Sequence, residues 1–153
     1  MKNEYLKQWE TLEITAFKET LSNWYYQHKR TLPWRGTNNP YYIWISEIML
    51  QQTRVDTVIG YYYRFIEQYP TIEALAEADE QSLLKVWEGL GYYSRARNLK
   101  VAAQQVMNDY DGQFPETMEA IRTLKGIGPY TAAAIGSIAF QLPEPAIDGN
   151  LMR

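Results

Sequence analysis

The stretch Trp44-Ile-Ser-Glu-Ile-Met-Leu-Gln-Gln-Thr-Arg-Val-Asp-Thr57 opens a long helical pattern in the sequence. Apolar residues recur every three or four positions, which is the period of an α-helix with one buried face. They are Trp44, Ile45, Ile48, Val55, Ile59, Tyr62 and Ile66. We therefore predict a single helix over about residues 41–68, ending before Pro70.

Three polar side chains fall on or beside this apolar face. Counted at about 100° per residue from Ile48, Glu47 lies at the rim of the apolar stripe, and Gln51 and Gln52 lie inside it. A carboxyl group and two amides in such a position are costly unless partners satisfy them. One interpretation is a structural network, with Glu47 paired to a neighbour such as Arg54 or capping another segment. The clustering of three polar groups favours the other interpretation, a binding site.

Composition limits the possible chemistry. The chain has 153 residues, enough for one domain with a real core, and 46% hydrophobic and 22% charged residues, as in ordinary globular proteins. It has no cysteine and one histidine, which removes disulfides and thiolate chemistry and disfavours a poly-histidine metal site or a Ser-His-Asp triad. Catalysis must then come from carboxylates, hydroxyls, amides or lysine.

Charge and hydropathy indicate where the protein works. The net charge of −3 and the pI of about 5.2 argue against a broad basic footprint for nucleic acid, although a local patch can still exist. The sequence has no apolar run of membrane-spanning length, and its first residues do not resemble a signal peptide. We expect a cytoplasmic protein, in a bacterial-type cell one associated with the nucleoid, with no membrane partner.

The remaining patterns are also helical, so an all-α fold is predicted. Thr71, Asp79 and Ser94 are predicted to cap the helices that follow them. The further predicted helices cover about residues 10–27, 72–78, 80–87, 95–110, 116–124 and 130–140.

A Gly-x-Gly turn, Lys125-Gly-Ile-Gly-Pro129, joins the last two of these helices into a helical hairpin. Gly126 and Gly128 can take positive φ, and Pro129 suits the first position of the second helix. Such a turn leaves backbone N–H groups available to bind a phosphate. The alternative is a tight turn that only packs two helices together.

The last residues form a loop in which Asp148 is a predicted N-cap for a helix starting near Asn150. The sequence stops three residues later. We therefore expect an N-terminal fragment of a longer protein.

Five motifs, in this order and spacing, resemble the helix-hairpin-helix DNA glycosylases, and among them the adenine DNA glycosylases of the MutY type. The motifs are Leu32-Pro-Trp-Arg35, Ser46-Glu-Ile-Met-Leu-Gln-Gln-Thr53, Trp87-Glu-Gly-Leu-Gly-Tyr-Tyr-Ser94, Leu124-Lys-Gly-Ile-Gly-Pro-Tyr-Thr-Ala132 and Ala146-Ile-Asp-Gly-Asn150. The resemblance implies a six-helix barrel module over residues 32–142, with the hairpin at about 117–140. It assigns residues 1–31 to a helix of a second, iron–sulfur half and residues 143–153 to the start of a return segment.

The resemblance also implies a reaction in base excision repair. Adenine mispaired with 8-oxoguanine or guanine in double-stranded DNA is flipped out of the stack and hydrolysed from its sugar. Glu47 is implied to protonate adenine at N7 and later to help activate water, and Asp148 to stabilise the oxocarbenium-like or covalent intermediate. Tyr130 and Asn150 match the active-site tyrosine and asparagine of the family.

Four groups of residues are implied to contact DNA, while Gln51 matches no functional position and is assigned a structural hydrogen bond. The residues that match the family's adenine pocket are Arg30, Trp34, Arg35 and Leu50, and those that match its contacts with the opposite base are Gln52 and Thr53. Leu90 and Tyr92 match the loop that wedges into the stack, and Gly126 and Gly128 match the phosphate-binding hairpin.

Two alternatives remain open. An endonuclease III-type glycosylase and lyase would need an amine nucleophile, and that family has lysine where this chain has Tyr130. A non-catalytic helix-hairpin-helix DNA-binding module would not need both carboxylates.

The family's [4Fe–4S] cluster is expected only in a full-length protein, because its four cysteines, like the domain that reads 8-oxoguanine, are absent from this chain. The chain alone is therefore expected to be nearly inactive and to bind DNA weakly.

Overall fold

The structure, a computed structural model, describes residues 11–153, and its contacts divide the chain into two compact units, Met1–Leu32 and Pro33–Arg153. The described part of the first unit is helix α1, Thr11–His28, which agrees with the predicted helix. At its end the His28 ring stacks on Trp24, with the ring centroids 5.1 Å apart. This contact and the position of a histidine in the last turn suit the negative end of the helix dipole.

Every regular element of the second unit is also a helix, so the all-α prediction is confirmed for the described residues. The helices are α2 Pro40–Leu50, α3 Val55–Gln68, α4 Ile72–Ala76, α5 Glu80–Trp87, α6 Ser94–Asp109, α7 Met118–Arg122 and α8 Pro129–Phe140. Residues 33–142 thus contain seven helices where six were predicted. No described helix is both long and apolar enough to cross a membrane.

The prediction of one helix over residues 41–68 is wrong, because a turn at residues 51–54 separates α2 from α3. Gln52 lies in this turn with a φ of +59°, outside the helical range, and Gln51 is the residue that ends α2. The two amides therefore do not lie on a helical face. Seven of the eleven residues of α2 are buried, so apolar side chains occur all round it and their spacing carried no information about its end.

The predicted caps were correct at two of three helices. The side chains of Thr71 and Asp79 each accept a hydrogen bond from the backbone N–H three residues later, at 3.1 and 3.0 Å. The predicted cap at Ser94 is wrong, because Ser94 is already the first residue of α6 and Tyr93 precedes it without a side-chain cap.

Helix α2 lies at the centre of the second unit and packs against α3, α6 and α8. Its Trp44 is fully buried and meets Phe114, with the ring centroids 5.7 Å apart. The small residues of α8 allow close packing, as a methyl group added at Gly136 would lie 2.8 Å from the sulfur of Met118 on α7. This arrangement brings the hairpin end of α8 beside the polar end of α2.

Candidate active site

Glu47 lies in the last turns of α2, and its side chain is half-buried. Burial raises the pKa of its carboxyl above the ordinary value, because desolvation disfavours the charged form. A hydrogen bond with the Tyr130 side chain and the charge of Arg35 lower this pKa, but they are smaller effects. The structure thus provides a carboxyl that holds its proton more tightly than an exposed glutamate and can give it to a bound base.

Tyr130 is the second residue of α8 and interacts with both predicted catalytic carboxyls. Burial raises the pKa of its phenol, and the charges of Glu47 and Asp148 raise it further. The phenol is therefore a neutral hydrogen-bond donor that faces Glu47 on α2 and Asp148 on the loop after α8. Tyr130 is thus close enough to both carboxyls, from two other parts of the sequence, for their charges to act on it.

Asp148 is fixed by a short hydrogen-bonded turn. Its Oδ1 accepts from the backbone N–H groups of Asn150 and Leu151, at 3.1 and 2.9 Å. The Asn150 side chain also donates to its Oδ2, at 3.4 Å. The capping bonds predicted for Asp148 are present, but residues 149–152 form a turn and not the predicted helix.

The residues matched to an adenine pocket occupy different environments. Trp34 is buried with its ring edge-on to Tyr62, at a centroid distance of 5.4 Å. Arg35 is exposed and close enough for its charge to act on Glu47, and Leu50 is half-buried at the end of α2. Arg30 follows α1 in the first compact unit and is exposed.

The loop of residues 89–93 carries the two residues matched to the wedge. Leu90 is 7% exposed and Tyr92 is 62% exposed, so the two side chains point to opposite sides of the loop. Positive φ at Gly89, Gly91 and Tyr92 produces this reversal. In this conformation Tyr92 alone can reach a partner, and Leu90 supports the loop from within.

Gln52 and Thr53, matched to the opposite base, lie in the turn of residues 51–54. Gln52 is exposed and Thr53 is half-buried. The side chain of Gln51 points inward and donates to Thr131 Oγ1 at 3.2 Å. The structural hydrogen bond predicted for Gln51 is confirmed, and it connects this turn to the residue that follows Tyr130.

Arg95 is a central residue that the sequence analysis missed. It is buried, and its Nη1 donates to the carbonyls of Ile48, Met49 and Gln51. Its Nη2 lies 3.4 Å from Thr53 Oγ1 and 3.4 Å from the carbonyl oxygens of Leu90 and Gly91. Helical spacing could have found it, since Arg95 shares the buried face of α6 with Leu99.

The two glycines of the hairpin turn have different backbone conformations. Gly126 has the positive φ that glycine allows, +80°, whereas Gly128 has a φ of −89° in extended backbone. Gly128 is the N-cap of α8, and Pro129 is its first residue, as predicted. A methyl group added at Gly128 would meet no heavy atom within 4 Å, so its backbone is open to an approaching ligand.

Gln105 on α6 holds this turn in place. Its Oε1 accepts from the backbone N–H of Lys125 at 2.7 Å, and its Nε2 donates to the carbonyl of Thr123 at 3.3 Å. Both ends of one amide are therefore used to fix the backbone that leads into the glycines.

The chain does not supply ligands for an iron–sulfur cluster. Such clusters are held by cysteine thiolates, and the sequence has no cysteine. Among the described residues, no group of three His, Asp or Glu side chains is placed to hold a metal ion.

Residues 45–153 match the model of the HhH-GPD superfamily of base excision DNA repair proteins. The chain belongs to this superfamily. Its curated relatives include the adenine DNA glycosylases of Rattus norvegicus, 45% identical over 92% of this chain, and Homo sapiens, 44% identical over 92%. That of Buchnera aphidicola subsp. Baizongia pistaciae is 47% identical over 90% of this chain. The chain spans 29%, 28% and 40% of the lengths of these three relatives.

Solved structures agree with this membership of the HhH-GPD superfamily. A thermostable thymine-DNA glycosylase superposes with a TM-score of 0.83 at 34% identity, over 89% of this chain and 63% of that one. A non-covalent endonuclease III–DNA complex superposes with a TM-score of 0.74 at 22% identity, over 90% and 64%. The predicted helix-hairpin-helix glycosylase fold is confirmed.

Proposed function

We propose that the protein carrying this chain hydrolyses the N-glycosidic bond of adenine mispaired with 8-oxoguanine or guanine in double-stranded DNA. The observation that carries the proposal is the half-buried Glu47, whose pKa is raised by burial and which faces Tyr130. Adenine is a poor leaving group until it is protonated, so the reaction needs a neutral acid in a partly desolvated place. The relatives named adenine DNA glycosylases support the choice of base.

The carboxyls divide the work of the reaction. Glu47 gives its proton to adenine N7, and the bond between N9 and C1′ of the sugar breaks with its electron pair going to the base. Positive charge then develops on the sugar, where the fixed carboxyl of Asp148 can stabilise it or form a covalent bond to it. A water molecule adds to C1′ and loses a proton to Glu47, leaving free adenine and an abasic sugar. Tyr130 and Asn150 orient the two carboxyls.

The exposed loop and turns would hold the DNA. Taking a base out of the stack costs a few kcal/mol, and an aromatic wedge offsets part of that cost. The exposed ring of Tyr92 suits this role, and Gln52 with Thr53 would contact the base opposite. The open backbone at Gly128 would approach a phosphate. Trp34, Arg35 and Leu50 are assigned to the adenine pocket because they match the positions of that pocket in the adenine DNA glycosylase motifs.

The alternatives fit less well. A lyase reaction forms a Schiff base and needs an amine beside the sugar. Endonuclease III-type enzymes have a lysine at the position that Tyr130 occupies in this chain, and a phenol cannot form a Schiff base. Lys125 precedes the glycines of the hairpin and is exposed. A module that only binds DNA would not need an acid with a raised pKa and a second fixed carboxyl beside the same tyrosine.

Single-turnover release of adenine from a duplex containing one adenine:8-oxoguanine pair tests the proposal on the complete protein that carries these residues. Glu47→Gln keeps the shape of the side chain and removes its proton, so we expect release to slow by about 10²–10⁴-fold. Glu67→Gln is the matched control, because Glu67 is exposed in the last turn of α3, and it should release adenine at the wild-type rate. Wild-type release by Glu47→Gln would show that another group is the acid.

A further inference from the structure

One guanidinium joins backbone carbonyls of two segments, of which the nearest pair, Gln51 and Leu90, are 39 residues apart in the sequence. Through Nη1, Arg95 binds carbonyls at the end of α2 and in the turn 51–54. The Nη2 atom of Arg95 lies 3.4 Å from Thr53 Oγ1. The same atom lies 3.4 Å from the carbonyl oxygens of Leu90 and Gly91. The planar face of the same group lies over the rings of Trp87 and Tyr92, at 5.3 and 5.8 Å from their centroids.

These contacts need an arginine in particular. The last carbonyls of a helix have no partner within the helix, and a cation beside them is favourable because the helix dipole is negative there. Arginine presents five N–H donors in a rigid fork, so it can bind carbonyls on two segments at once, whereas lysine is a compact point charge on a flexible stem. A buried charge is costly to leave unpaired, which makes both sets of bonds difficult to break separately.

We propose that Arg95 is a positioning residue that makes the turn 51–54 and the loop 89–93 one rigid body, so that both meet a DNA duplex in register. This inference rests on the proposed function, which assigns the turn to the base opposite the flipped adenine and the loop to the gap in the stack. Because Arg95 is buried, its proposed action is indirect, through Thr53 and through the backbone beside Tyr92.

A chain of contacts connects Arg95 to the proposed acid, Glu47. Arg95 binds the carbonyl of Gln51, and the side chain of Gln51 donates to Thr131. Thr131 follows Tyr130, which is the partner of Glu47. A displacement of the loop on DNA would therefore move the start of α8 and the hydrogen bond to the acid, so recognition of a mispair and placement of the acid share one set of contacts.

Hydrogen exchange on the free complete protein tests the coupling without DNA or activity. Arg95→Lys keeps the charge and loses the fork, so amides in the turn 51–54 and in the loop 89–93 should both exchange faster. Arg97→Lys is the matched control: Arg97 lies on the same helix, is exposed and pairs with Glu80, and its replacement should change neither segment. Faster exchange in only one segment, or in neither, would overturn the proposal.

A second variant keeps the test decisive if Arg95→Lys does not fold. Thr53→Val preserves volume and removes one bond to Nη2, so the exchange of the loop 89–93 should rise together with that of the turn. A rise confined to the turn would show that Arg95 does not couple the two segments.

A readout on DNA separates positioning from folding. In a duplex with 2-aminopurine beside the mispair, the fluorescence increase on binding reports unstacking. Arg95→Lys should reduce this increase and slow single-turnover adenine release by about 10²-fold, the usual effect of a displacement of about 1 Å, with a smaller change in Kd. Unchanged unstacking and release would overturn the proposal. If the wild-type protein released no adenine, the proposed function would fail while the exchange result still stood.

Discussion

The two glycines of the hairpin turn should respond differently to alanine. Gly126 has a φ of +80°, and a methyl group there would lie 3.0 Å from Cβ of Asn98. The left-handed conformation alone costs an ordinary residue roughly 1–2 kcal/mol, and the close contact adds to that cost. Gly128 is extended and open, so Gly128→Ala meets neither of these costs. The reduced freedom of the unfolded chain favours alanine by about 0.4–1 kcal/mol, but alanine is a poorer N-cap than glycine by a similar amount, so the net change in stability should be small.

Gly36→Ala is the control for conformational cost without a collision. Gly36 has a φ of +85°, and no heavy atom lies within 4 Å of the position of the added methyl group. Its free-energy cost should be roughly 1–2 kcal/mol, less than that of Gly126→Ala. Urea unfolding of the complete protein measures the free energies, and hydrogen exchange over residues 117–140 shows whether the loss at Gly126 is local.

DNA binding then separates structure from recognition. Gly128→Ala should weaken binding to a duplex although it changes the stability of the protein little, because the methyl group would stand where a phosphate would approach the backbone. If Gly126→Ala and Gly128→Ala destabilise the protein equally, the argument from backbone conformation is wrong. If Gly128→Ala binds the duplex as tightly as wild type, the phosphate is not bound at this amide.

Three further predictions concern the acid and its supports. Because burial raises the pKa of Glu47 in the folded state, that state binds the proton more tightly, and stability should fall as pH rises from the unfolded pKa through the folded one. Glu47→Gln should remove this fall in stability. Unfolding measured as a function of pH would then show a variant that is more stable than wild type above the pKa of Glu47 in the folded state. If the variant kept the pH dependence of the wild-type protein, the assignment would be wrong. Tyr130→Phe removes a hydrogen bond that lowers the pKa of Glu47, so that pKa should rise. In a plot of the rate of adenine release against pH, the alkaline limb should therefore move to higher pH. A move to lower pH would contradict the geometry. Gln105→Leu breaks the bonds to Lys125 and Thr123 and should cost about 1–2 kcal/mol in urea unfolding, with faster amide exchange in the hairpin turn; an unchanged free energy of unfolding would show that the amide does not support the turn.

The helices that the sequence predicted well are those with one apolar face and a polar cap. Helices α4 and α5 follow Thr71 and Asp79, whose side chains favour a helix start for local reasons that need no tertiary contact. The break between α2 and α3 was missed because the carbonyls freed there are bound by Arg95, which lies 44 to 47 residues away in the sequence. No local pattern records a partner at that separation.

The sequence predicted which residues form the candidate site, but it predicted their burial and their contacts less well. The motifs indicated Glu47, Tyr130 and Asp148, and the structure adds that Tyr130 interacts with both carboxyls. The sequence could not show that Leu90 is buried while Tyr92 is exposed, because positive φ at the intervening glycine decides which way each side chain points. Nor could periodicity place Arg35 near Glu47, since the two residues are brought together by tertiary packing.

The near-complete burial of α2 constrains how a protein of this architecture can change its substrate. Most positions that flank Glu47 on this helix fill the core, so replacing them would cost stability before it altered recognition. The turn 51–54 and the loop 89–93 carry exposed side chains that can be exchanged without disturbing packing. If these two segments contact the base opposite the flipped adenine and the gap in the stack, as proposed, substitution there can alter those contacts while the acid and its helix stay unchanged.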